Sequence, residues 1–251
     1  MATSPTAPDK DTGLPVASQL DVPRPLIVEV MGPAAAGKTS VVRALSASDP
    51  RITPGIPVPR WRWFPHLIGR LVPLIPVWMT RYPGDRWFTW NEMKSVAFLN
   101  AWLGSIDRSG HGPRITVLDH GPVYRLARLR EFGPTIARSE RFERWRRALL
   151  DTWLNLIDLV VVLDAPDEVL LRRVDARGHW WLSADRTQEE KRDFYTRYRE
   201  AFEEALATPV EDPPRVLRVR SDEADPERIA DRILATLESP LLTSVGKEPD
   251  R

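Results

Sequence analysis

Residues Leu26–Met31 (LIVEVM) are apolar except for one glutamate, and half of them are β-branched, the pattern of a strand buried at the centre of a parallel sheet. Comparable runs recur at Ile115–Asp119 (ITVLD), Leu159–Asp164 (LVVVLD) and Val216–Val219 (VLRV), with a weaker one at Arg51–Thr53. Helical spacing follows the first run at VVRALSAS, and returns at Val123–Phe132, Ile136–Leu156, Asp167–Ala176, Thr187–Ala207 and Pro226–Leu237. Strands alternating with helices predict an α/β fold, a doubly wound parallel sheet with helices on both faces.

Residues 54–104 interrupt that rhythm. The stretch PGIPVPRWRWFPHLIGRLVPLIPVW holds too many prolines for one continuous helix. Beyond Gly84, apolar Phe88, Met93, Val96, Ala97, Leu99 and Trp102 predict a long amphipathic helix over the carboxyl edge of the sheet. Residues 1–24 and 239–251 lack periodicity and are read as flexible tails around one domain, 25–238, with a helical insert at 54–104. The nearest approach to a membrane span, Phe64–Met79, is broken by His66, Arg70 and three prolines. The start of the chain does not have the form of a secretory signal.

Composition narrows the classes further. At 251 residues, 42% hydrophobic and 28% charged, the chain suits a single globular domain and not wholesale disorder. Basic and acidic residues number 36 and 35, so the net charge of +1 makes no case for nucleic-acid binding. The absence of cysteine excludes disulfides, thiolate zinc sites and cysteine nucleophiles, and permits a reducing, cytoplasmic setting. Six of the ten tryptophans lie between Trp61 and Trp102, a clustering that asks for a cause.

The chemistry concentrates behind the first strand. Gly32-Pro33-Ala34-Ala35-Ala36-Gly37-Lys38-Thr39 matches GxxxxGK[ST], placed between a strand and a helix and followed by Ser40. Glycines at both ends let the chain wrap so that successive backbone N–H groups face phosphate oxygens, and the following helix adds its positive end. Lys38 is the residue to meet β- and γ-phosphates, and the Thr39 hydroxyl can ligate Mg²⁺. The motif therefore predicts a nucleotide bound by residues 32–40. Asp119 closes the next strand, at the edge where open α/β sheets bind ligands. His120 follows it, where many P-loop ATPases have a water-activating glutamate. With no NKxD or LSGGQ-like segment either, transfer to an acceptor is favoured over plain hydrolysis.

A third segment, LVVVLDAPDEVLLRRVDARG, runs strand, turn and helix into Arg173, Arg177 and Gly178, with a loop before Thr187. With these motifs the chain resembles the P-loop nucleoside and nucleotide kinases, most closely the thymidylate kinase-like group. The resemblance implies a P-loop NTPase three-layer sandwich with a central parallel sheet, ATP as donor with Mg²⁺, and a small-molecule acceptor. It also implies roles: Lys38 and Thr39 on phosphate and metal, Asp119 on Mg²⁺ or as base, and Arg173 or Arg177 as arginine of a lid at 178–187. VRSDEADPERIADRIL corresponds to the segment bordering adenine.

The likeness departs at two places. The Arg-Glu-Pro-Gly-Gly stretch of thymidylate kinases is matched only by Ile52-Thr53-Pro54-Gly55-Ile56, and His120 replaces an expected arginine. Thymidylate is thus a poor fit as acceptor; Arg60, Arg62, Arg125 and Arg128 are candidate substitutes, and nothing in the spacing chooses among them. For Trp61, Trp63, Trp78, Trp87 and Trp90 three readings stand: a satellite core, an acceptor pocket, or an amphipathic patch for a membrane surface or partner protein. Trp180 and Trp181 fall in the loop that the resemblance makes a lid. The alternative to a kinase is a nucleotide-binding regulatory module that docks a partner through the insert.

Overall fold

A computed structural model of the chain describes residues 25–106, 115–176 and 187–238. Five parallel strands form one sheet: β1 (Leu26–Met31), β2 (Ile52–Pro54), β3 (Ile115–Asp119), β4 (Leu159–Asp164) and β5 (Arg215–Arg220), in the order β2-β3-β1-β4-β5. β1 is central, with Val30 opposite Asp119 of β3 and Val161 of β4. Its neighbours lead away in opposite directions, so the loop after β1 opens at the switch point where ligands bind in such sheets.

Alternation along the strands splits the core into two layers. Val28, Val30, Val117, Val161 and Leu163 face α1 (Lys38–Ser48) and Ile229, Ala230 and Ile233. The last three lie on the C-terminal helix, Pro226–Glu238. Ile27, Met31, Leu118 and Val160 face the opposite way, towards Leu99, Leu126, Trp153 and Phe202. The three layers follow directly from this two-sided burial. β5 is an edge strand, and Arg215, Arg218 and Arg220 (RVLRVR) put the kind of charge on it that disfavours pairing with another chain.

The proline-rich segment forms α2 (Arg60–Leu71), a 3₁₀ turn (Val72–Leu74) and α3 (Ile75–Arg81). Pro73 and Pro76 stand in the first positions of the turn and of α3, where a missing N–H costs little. The predicted long helix is α4 (Trp90–Leu103), started by a capping box in which Thr89 and Glu92 satisfy each other's backbone N–H. α2 packs along α4, so the tryptophan-rich region is a helical layer beside the sheet.

The remaining helices are α5 (Pro122–Phe132), α6 (Glu140–Leu154), α7 (Asp167–Ala176), α8 (Gln188–Leu206) and α9 (Pro226–Glu238). One prediction needs correction. The helix expected over Ile136–Leu156 is split into a 3₁₀ turn, Thr135–Arg138, and α6. Between them Ser139 is extended (φ −63°, ψ 145°). Buried Ile136 and Phe142 straddle the break, so their apolar spacing concealed it. The tails 1–24 and 239–251 and most of the loop 178–187, with Arg177, Gly178, Trp180 and Trp181, lie outside the described residues.

Candidate functional site

The loop after β1 takes its shape from three residues with positive φ. Gly32 (149°) and Gly37 (90°) do so without penalty, whereas Ala35 (64°) occupies the left-handed region that alanine rarely visits. At Gly32 a side chain is also excluded by space, since a Cβ would lie 2.1 Å from the Leu163 carbonyl oxygen. Among the described residues, the amides of Ala34, Ala35, Gly37 and Thr39 have no hydrogen-bond acceptor. Unpaired donors curled at a helix start form a cradle for an anion. Lys38 is nearly buried, and its ammonium donates to the carbonyls of Gly32 (2.9 Å) and Pro33 (2.8 Å).

Thr39 and Asp119 meet at the mouth of this cradle, the hydroxyl donating to Oδ2 at 2.7 Å. Asp119 Oδ1 is shielded from solvent and lies 2.9 Å from His120 Nδ1, without a well-aligned hydrogen bond. Burial by itself pushes the Asp119 carboxyl up, but His120, Thr39 and Lys38 together bring it below the usual range. Burial holds His120 below its ordinary value, against the pull of Asp119. His120 is itself left-handed (φ 56°), which turns its ring onto Tyr124 at 4.5 Å between centroids.

Beneath this corner lies Glu29, fully buried in β1. Its carboxylate accepts from the amides of Val123 (3.0 Å) and Tyr124 (2.8 Å) at the start of α5. Burial nevertheless raises its pKa to about 7, opposed by those amides and by Arg125. Gly121 must be glycine here, because a Cβ would come within 2.7 Å of the Glu29 carboxyl carbon.

A cleft of about 1120 Å³ opens over the cradle. Loop residues between Ala34 and Ser40 form its floor, His120 before α5 and Tyr124, Arg128 and Phe132 on α5 make one wall, and α8 gives Phe194, Arg197 and Tyr198 to the other. Phe132 lies 4.8 Å from Tyr198 and from Phe194 between ring centroids, and Arg197 caps Phe132 at 5.3 Å. A recess of about 320 Å³ shares His120, Tyr124 and Arg128 with the cleft and adds Lys94, Ser95 and Arg125. Arg125 is fixed there, donating to His120 O (2.7 Å) and Ser95 Oγ (2.8 Å).

The structure thus brings Lys38, Thr39 and Asp119 together with the loop, while Arg173 stands apart from them. Its guanidinium spans from the loop at Ala35 O (3.4 Å) to Ser221 Oγ (3.0 Å) and Ser221 O (2.9 Å), on the segment after β5. Of the arginines considered as substitutes, Arg128 lines the cleft, Arg125 the recess, and Arg62 points to Ser105. None of the tryptophans lines the cleft among the described residues. Trp63 is buried against Ala97 and Ala101, Trp78 and Trp87 pack half-buried around Leu74 and Phe88, and Trp61 and Trp90 are exposed.

The aromatic cleft wall was missed from sequence. Its signal is the i, i+4, i+8 run Tyr124, Arg128, Phe132 together with Phe194 and Tyr198, two stripes that converge only once α5 packs on α8.

A hard divalent cation such as Mg²⁺ is compatible with this corner. A hydroxyl and an ionised carboxylate are hard oxygen donors, and Asp119 has an oxygen that makes no aligned hydrogen bond. Among the described residues no group of three or more His, Cys, Asp or Glu could hold a metal alone. Phosphate oxygens and water would complete the shell.

No family model matches the chain, and no curated protein matches it. Solved structures are similar in outline. The YorR protein of Bacillus subtilis, in complex with phosphorylated GDP, shares 17% identity at a TM-score of 0.48, over 84% of this chain and 95% of that one. Deoxyadenosine kinase from M. mycoides with bound dCTP shares 14% at 0.46, over 85% and 100%. Shikimate kinase from Acinetobacter baumannii in complex with shikimate shares 16% at 0.46, over 87% and 96%. These likenesses give no specific link to the thymidylate kinases.

Proposed function

We propose that this chain is a P-loop kinase that uses ATP and Mg²⁺ to phosphorylate a small-molecule acceptor. The observation that carries this reading is the 2.7 Å contact between Thr39 and Asp119, which joins the phosphate-type loop to the neighbouring strand end beside a large cleft. In this reading the loop amides and Lys38 bind the phosphates, and Thr39 and Asp119 hold the metal. When bound, Mg²⁺ supplies charge neutralisation on the phosphates. The lowered pKa keeps Asp119 ionised for that task. His120, neutral near pH 7, faces both the cleft and the recess, where it can take a proton from an acceptor hydroxyl. Arg128 supplies the cation for an acceptor's negative group. Arg177 and the lid at 178–187 remain part of the proposal on resemblance alone, and Arg173 serves better as a brace for the loop.

The second reading, a nucleotide-dependent docking module, draws support from the exposure of Trp61 and loses it at buried Trp63. The deciding experiment measures ADP release from Mg·ATP with pooled nucleosides, nucleoside monophosphates, sugars and other hydroxyl acceptors, using Lys38→Ala as blank. Acceptor-stimulated release absent from the variant supports the kinase. Nucleotide binding without stimulation by any pool favours the docking module.

A further inference from the structure

Two apolar stripes run along the segment from α2 to α3. Trp63, Leu67, Leu71, Leu74 and Trp78 face inward and pack against α4 and the core around Phe88 and Phe142. Trp61, Phe64, Ile68, Val72, Ile75 and Met79 form the second stripe, at helical spacing, and all six are exposed, from 40% at Ile75 to 71% at Trp61. The backbone is right-handed helical at Leu71, Val72, Leu74 and Ile75, so the 3₁₀ turn carries one outer face on into the next. Exposed Trp90, 6.3 Å from Trp63 between centroids, extends this surface towards the start of α4. A monomeric protein rarely leaves so long an apolar face in water.

The charge around it indicates what covers it. From Ile52 to Gly84 the sequence contains four arginines and no aspartate or glutamate. Among the described residues, Arg70 and Arg81 pair with no carboxylate, and both are exposed. The exposed tryptophans each carry a cation: Arg62 lies 5.2 Å from the Trp61 ring and Lys94 6.0 Å from that of Trp90. Tryptophan and phenylalanine along one face, flanked by arginine without acid, is the composition of a helix lying in the plane of a membrane interface. No described helix is long and apolar enough to cross a membrane, so the contact is with one leaflet.

We propose that the outer face of α2 and α3 docks on an anionic lipid bilayer. The apolar stripe enters the headgroup boundary while Arg70 and Arg81 reach lipid phosphates. Among the described residues, none of α2 or α3 lines the cleft or the recess, so the test of this surface is independent of catalysis.

The test is co-sedimentation of the full chain with vesicles of phosphatidylcholine alone, or of phosphatidylcholine and phosphatidylglycerol in equal parts, at low and high salt. The expected result is binding at least about tenfold stronger to the anionic vesicles, weakened by salt. A triple variant, Trp61→Ser with Phe64→Ser and Met79→Ser, changes exposed positions only and should keep its melting temperature while losing that binding. Arg70→Glu with Arg81→Glu should lose the preference for anionic lipid. The Lys38→Ala variant should bind as the wild type does. Absence of binding to both vesicle types, or undiminished binding by the triple variant, overturns the proposal. So does a concentration-dependent dimer, seen by sedimentation velocity and abolished by the same triple variant, which would make a second copy the occupant of this face.

Discussion

The Thr39 hydroxyl donates to Asp119 Oδ2 at 2.7 Å across 80 residues of sequence. The first turn of α1 is thereby tied to the end of β3, with Thr39 on the floor of the cleft and His120, the residue after Asp119, on its wall. Under the proposed function Asp119→Asn should lower Mg²⁺-dependent turnover by about two orders of magnitude or more. The melting temperature should move little, since asparagine still accepts from Thr39. Titrating Mg²⁺ against ADP release checks this, and normal turnover would make Asp119 a structural cap.

His120→Asn tests the imidazole without disturbing its backbone, because asparagine tolerates the left-handed region that His120 occupies at φ 56°. Burial holds the His120 pKa below its usual 6.5, so wild-type turnover should fall only as pH drops below that value. In the variant this acid limb should vanish and the maximal rate should fall about 100-fold. A pH–rate profile with the limb unchanged would remove His120 from the chemistry.

For Arg173 the two roles predict different kinetics. A brace between Ala35 and Ser221 holds the loop for nucleotide, so Arg173→Ala should raise KM for ATP and cost about 1–3 kcal/mol of stability through lost hydrogen bonds. An arginine that meets the transferring group would instead lower kcat with the fold intact. Steady-state kinetics alongside urea unfolding separates them.

Glu29 gives the protein a pH dependence of known sign. Its folded pKa of about 7 exceeds the ordinary 4.5, so the folded state holds this proton more tightly than the unfolded chain. The stability it contributes is full below about pH 4.5, declines as pH rises towards 7 by up to about 1.4 kcal/mol per unit, and levels off above. Glu29→Gln should remove that decline while keeping one acceptor for the α5 amides. Urea unfolding of both proteins on either side of this window reads the difference. Parallel curves would mean that the buried carboxyl titrates normally.

The strands were legible from sequence because a central parallel sheet writes itself as short apolar runs, and β1, β3 and β4 stand at the predicted bounds. The capping box of Thr187 with Glu190 starts α8 one residue after the expected Thr187, whereas that of Thr89 with Glu92 starts α4 two residues after Phe88, the first apolar position of the predicted helix. Less legible was whatever depends on distant partners. The break at Ser139 follows from tertiary ties: Asp85 accepts from Thr135 N, and Arg138 donates to the carbonyls of Arg130 and Glu131. The left-handed turn at His120 and the brace at Arg173 leave no local trace either. Cleft-lining Phe132 and Phe194 stand 62 positions apart, on helices whose charged faces dominate the pattern.

Lys38 meets an incoming ligand already engaged, with two carbonyl oxygens under 3 Å from its nitrogen. Any group that recruits it must outbid both dipoles at once. A molecule ending in a hydroxyl cannot, and a single phosphate resting on the loop amides need not reach it. A polyphosphate can, because it places concentrated negative charge beyond those amides. Under the proposed function, self-engagement of the lysine therefore sets a threshold: only a ligand that carries phosphate charge past the loop amides draws Lys38 away from the Gly32 and Pro33 carbonyls.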